Sequence, residues 1–79
     1  MIPYTILEIQ TDTNNTVAHL PAIDKENENE ALSVYYGKLA YAATSNVYIH
    51  TVMLCTIDGR LIKSESFMHG APYEPENDL

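Results

Sequence analysis

With 11 acidic against 4 basic residues in 79, and a formal charge of -7, the chain lacks the basic face that grips a phosphate backbone, which argues against direct nucleic-acid binding. A hydrophobic fraction of 46% fits a folded domain, and no stretch of 18 apolar residues marks a membrane span. At this size one core yields only about 3–5 kcal/mol of net stability, so self-association is a natural supplement.

The N-terminus has no basic segment followed by an apolar run, and the expectation is a soluble cytoplasmic protein. Tyr4 to Gln10 is rich in β-branched and aromatic types and reads as a first strand. Asp12-Thr-Asn-Asn15 supplies turn residues, making a hairpin with Thr16 to Ile23 the simplest inference. Pro21 cannot donate to a ladder, so that second strand belongs at a sheet edge. His19 within it reads as an ordinary strand histidine, since no partner ligands are spaced for a metal.

Asp24 to Glu30 carries four acids and opens a helix expected from about Lys25 to about Ala43. Asp24 or Asn27 can cap it, and the glutamates oppose the positive end of the helix dipole. Leu32, Tyr35, Tyr36, Leu39, Ala42 and Ala43 form its apolar stripe. Gly37 interrupts it and suggests close approach to a sheet.

Val47 to Met68 is two β-rich runs around Asp58-Gly59, the pair that suits a two-residue type I′ turn. That turn pairs Ile57 with Arg60, Cys55 with Ile62, Met53 with Ser64, Thr51 with Ser66 and Ile49 with Met68 on one face. The other face carries Tyr48, His50, Val52, Leu54 and Thr56 beside Leu61, Lys63, Glu65, Phe67 and His69. Both faces are apolar. The expectation is that the helix covers the first, whose small residues leave room for its tyrosines. Cys55, the only cysteine, reads as a small hydrophobe in an apolar strand. Residues 71–79, with Glu74, Glu76 and Asp78, read as a mobile acidic tail to a domain of residues 1–70.

The fold expected is α+β: a single ββαββ domain whose four-stranded, mainly antiparallel sheet has one helix packed on one face. The strand Tyr4–Gln10, the helix Asn29–Ala43 with its paired tyrosines, and Val52–Asp58-Gly59-Arg60–Phe67 resemble a loose class of small uncharacterised proteins of phages and mobile elements of gut Firmicutes. That resemblance implies a bacterial or phage cytoplasmic origin and carries no activity with it.

No catalytic, cofactor or metal motif stands out. The reading is therefore a non-catalytic protein-interaction module that forms a homodimer or docks on a protein partner through an uncovered sheet face, with Tyr48, Val52, Leu54, Leu61 and Phe67 as its anchors. One alternative is an accessory inhibitor whose Glu26, Glu28, Glu30, Glu74, Glu76 and Asp78 mimic nucleic-acid charge. Another is a small metal-binding or hydrolytic protein using His50, His69 and Glu65.

Overall fold

A computed structural model describes residues 3–69 and gives an antiparallel sheet crossed on one face by a single helix. In chain order the elements are β1 (Tyr4–Thr11), β2 (Val17–His19), β3 (Ile23–Lys25), α1 (Glu28–Thr44), β4 (Ile49–Thr56) and β5 (Leu61–Met68). The α+β class agrees with expectation, but the sheet has five strands, ordered β2-β1-β4-β5 with β3 also paired to β1. The expected strand Thr16 to Ile23 is divided at Pro21, which has no N–H to give the ladder. Its two halves pair with opposite ends of β1, Val17 to His19 against Ile9 to Thr11 and Ile23 to Lys25 against Tyr4 to Ile6. Between them the Leu20 amide donates to the Glu8 carbonyl at 3.0 Å, keeping the edge attached.

Because β3 continues to Lys25, the helix starts three residues later than expected. Asn27 is its cap: the side-chain oxygen accepts from the amides of Asn29 at 2.8 Å and Glu30 at 3.2 Å. Glu28 and Glu30 then lie in the first turn, where the dipole favours negative charge. The buried stripe is Ala31, Tyr35 and Ala42, with Leu32, Val34 and Leu39 at its margin, whereas Tyr36 and Ala43 are exposed. A Cβ placed on Gly37 would meet nothing within 4 Å, so this glycine does not mediate an approach to the sheet.

The β4–β5 turn corrects the expected type I′ geometry. Gly59 has φ +99°, Asp58 has no positive φ, and the Gly59 amide donates to the Thr56 carbonyl at 2.9 Å. Thr56 N–H donates to Arg60 O at 2.8 Å, closing a three-residue loop of Ile57, Asp58 and Gly59. Cys55 therefore pairs with Leu61 rather than Ile62, and a bulge beside it leaves Ile62 as the extra residue. Past the bulge the expected pairs hold, Met53 with Ser64, Thr51 with Ser66 and Ile49 with Met68. The longer turn and the bulge offset each other.

The helix lies on the opposite face from the one expected. Ile6, Val52 and Leu54 are fully buried under it. The large side chains at this layer come mainly from the sheet, and Ala31 and Ala42 leave them room. Polar pairing fixes the same choice, because Glu8 and His50 project to this side and find partners on and just after α1.

Candidate functional site

The uncovered face of the sheet is built from alternate residues: Thr5, Leu7 and Ile9 of β1, Ile49, Thr51, Met53 and Cys55 of β4, and Ser64, Ser66 and Met68 of β5. Every ionisable side chain of the three long strands except the Cys55 thiol points the other way: Tyr4, Glu8, His50, Lys63 and Glu65. The face is uncharged across its centre, although the chain as a whole carries -7. Asp24 and His19 reach it only from the β2/β3 edge, opposite Thr5 and Ile9. The hydroxyls are partly self-satisfied, Thr51 Oγ1 lying 2.8 Å from Ser66 Oγ. Met68 and Ile57 at the rim are more than half exposed.

This places the expected interface residues differently. Val52 and Leu54 are 0% exposed and belong to the core, Tyr48 and Phe67 are half-buried on the helix side, and Leu61 is exposed beside the turn. They do not form an uncovered patch, because their face is the one α1 covers. Glu26, Glu28 and Glu30 are exposed around the helix start. Glu74, Glu76 and Asp78, with the whole expected tail, lie outside the described residues.

Beneath the helix is a polar chain that crosses the core. Glu8, 4% exposed, accepts from Lys38 Nζ at 2.8 Å on one oxygen. Its other oxygen is 2.5 Å from His50 Nε2 and 3.3 Å from Gln10 Nε2. The second ring nitrogen of His50, Nδ1, is 2.9 Å from Ser45 Oγ. Burial pushes the Glu8 carboxyl up, but hydrogen bonds from Lys38, His50 and Gln10, with the Lys38 charge, outweigh it and hold the group below the usual carboxylate range. An ionised Glu8 only accepts, so Nε2 carries the proton; in a neutral ring Nδ1 then accepts from the Ser45 hydroxyl. His50 is fully buried and Tyr41 packs edge-on against it, with centroids 5.7 Å apart.

Ser45 is the C-cap of α1 and has left helical geometry, with φ -75° and ψ 165°. It lines a cleft of about 690 Å³ between the end of the β1–β2 hairpin and the α1–β4 connection, together with Gln10, Thr16, Asn46, Tyr48 and His69. The buried network thus meets the cleft at Ser45 and Gln10, and Lys38 at its other end is partly exposed.

The sequence singled out His50 but not its partners. The structure does not assemble His50, His69 and Glu65: His69 Nε2 lies 2.7 Å from the Ala42 carbonyl, and Glu65 is exposed opposite Val52. Among the described residues no group of three or more His, Cys, Asp or Glu side chains is placed to hold a metal ion, and no helix is long and apolar enough to cross a membrane. No protein-family model matches the chain, and no match is found among curated proteins or solved structures. The functional reading therefore rests on this geometry alone.

Proposed function

We propose that the protein is an interaction module that dimerises by packing its open sheet face against the same face of a second copy. The observation that carries this reading is the segregation of charge: a strongly acidic chain keeps the centre of one face free of ionised groups. A two-fold interface sets each residue against a symmetry-related surface, so like charges there would oppose each other, and an uncharged face avoids that cost. Sheet-on-sheet packing of this kind gives an aligned sandwich with interdigitating inner residues.

The size is adequate for association. Eight-residue strands span roughly 26 Å, and four strand positions span roughly 19 Å, giving about 500 Å² per copy and about 1,000 Å² in total. That is the lower range of specific interfaces, with Leu7, Ile9, Met53 and Met68 supplying most of its apolar area. The acidic helix start needs no partner of its own, because the dipole and the Asn27 cap already place Glu28 and Glu30.

Sedimentation equilibrium of the full chain tests the proposal. The wild type is expected to give a dimer mass, and Met53→Asp a monomer with unchanged far-ultraviolet circular dichroism, since Met53 lies outside the helix-covered core. A wild type still monomeric at about 100 μM, which corresponds to association weaker than about 5.5 kcal/mol, would sink the reading. So would a Met53→Asp variant that remains dimeric.

A further inference from the structure

We infer that Ser45, His50 and Glu8 form a nucleophilic relay that acylates Ser45, giving the protein hydrolytic activity on small uncharged or cationic acyl esters bound in the cleft beyond the end of α1. The inference is independent of dimerisation, since the relay and the open face lie on opposite sides of the sheet.

Three groups stand in the order that serine chemistry requires. Ser45 Oγ is within hydrogen-bond reach of a ring nitrogen at 2.9 Å, and the other nitrogen of that ring is held by a buried carboxylate at 2.5 Å. Glu8 is a positioning residue: it fixes the tautomer that leaves Nδ1 facing the serine. Lys38 supports it by keeping the carboxylate ionised in a buried position.

Ser45 Oγ also accepts from the Val47 amide at 3.4 Å and lies 3.3 Å from the Ala42 carbonyl, so the 2.9 Å contact to His50 Nδ1 is the shortest of its three. Asn46 lines the same cleft as Ser45. The carbonyl end of α1 and Asp12 in the cleft lining select against anionic substrates, and they also oppose the charge of the tetrahedral intermediate, so the rate expected is modest. A volume of about 690 Å³ is ample for a small ester.

The steps balance without any further reactant than water. The Oγ lone pair forms a bond to the acyl carbon as the Oγ proton passes to Nδ1, while the Nε2 proton stays against Glu8. Collapse of the tetrahedral intermediate breaks the bond to the leaving oxygen, which takes the proton from Nδ1. Water then adds to acyl-Ser45, giving a proton to Nδ1, and the acid departs as that proton returns to Oγ.

The test uses the full chain with 4-nitrophenyl acetate and a fluorophosphonate probe, followed by peptide mapping. The expected result is a one-to-one adduct on Ser45 that forms at least about 100-fold faster than in the same chain unfolded in urea, which keeps the serine but loses the relay. Ser45→Ala abolishes the adduct, and His50→Gln slows it by about 100-fold or more where circular dichroism shows it folded. Glu8→Gln alters the pH profile of labelling, which a purely packing role would leave in place. No adduct, an adduct on another side chain, or a Ser45 adduct forming equally fast in the unfolded chain would overturn the inference.

Discussion

Removing the Glu8 carboxylate is the most informative perturbation of the core. Glu8 is the acceptor for Lys38, His50 and Gln10 at 2.8, 2.5 and 3.3 Å. Glu8→Ala leaves the fully buried His50 ring without its carboxylate and Lys38 without its counter-charge, a loss of about 3–5 kcal/mol for breaking one side of a buried pair. That is comparable with the whole stability of a domain of this size, so the variant should be largely unfolded at 25 °C. Glu8→Gln keeps the volume and one acceptor, and should lose about 1–3 kcal/mol. With a urea slope near 1 kcal/mol/M, its midpoint falls by about 1–3 M. The chain has six tyrosines and no tryptophan, so tyrosine emission and far-ultraviolet circular dichroism are the probes. The pH dependence carries a sign. The folded pKa of Glu8 is depressed, so its stabilisation is complete above the unfolded value of about 4.3 and disappears as pH falls through the folded value. The wild type should therefore lose its advantage over Glu8→Gln on acidification, by at most about 1.4 kcal/mol per pH unit. Asp58, held below its ordinary range by the hydrogen bond from Thr56, titrates in both proteins and cancels in the difference. Parallel stability profiles between pH 6 and 3, or a Glu8→Ala cost under about 1 kcal/mol, would refute the reasoning.

Two glycines separate by backbone state. Gly37→Ala should raise stability by about 0.5–1 kcal/mol in thermal or urea unfolding, because a helical glycine is replaced where its new Cβ meets nothing within 4 Å. Gly59→Ala should lower it by about 1–2 kcal/mol in the same assay, because φ +99° is strained for any side chain even in open space.

The elements were legible where a local residue dictates them. Asp58-Gly59 marked a hairpin, the glutamates marked a helix start, and the β-branched and aromatic content of Tyr4 to Gln10 marked a strand. Pro21 was read correctly as an edge signal, but its power to split the edge into β2 and β3 depends on whether the chain rejoins β1 afterwards, which is a tertiary matter. The face of the sheet was misassigned because apolar content is nearly equal on both sides of the β4–β5 hairpin. What breaks the tie is Glu8, an acid placed on the same parity as Ile6. Its partners Lys38 and His50 are 30 and 42 residues away, and no local pattern announces pairs at that range. Parity alone could have raised the question, since a carboxylate beside a core isoleucine requires a donor opposite it. Ser45 was hidden for a related reason: it reads as a helix stop, and only the closed fold brings His50 beneath it.

The salt response of association discriminates between the two roles that an acidic chain invites. Two copies meeting through an uncharged face still bring together two bodies of charge -7 each, so the repulsion lies around the interface rather than in it. Raising ionic strength from 0.15 M to 1 M shortens the screening length from about 8 Å to about 3 Å, which weakens that repulsion and leaves the buried apolar contacts in place. The dimer should tighten several-fold as sodium chloride rises. Binding carried by Glu26, Glu28 and Glu30 would respond with the opposite sign, since an acidic cluster on a basic partner loses attraction under the same screening. Dissociation constants measured by sedimentation at several salt concentrations give that sign directly. A dimer that falls apart as salt rises would rule out the open sheet face as the interface, and Met53→Asp would then leave association unchanged.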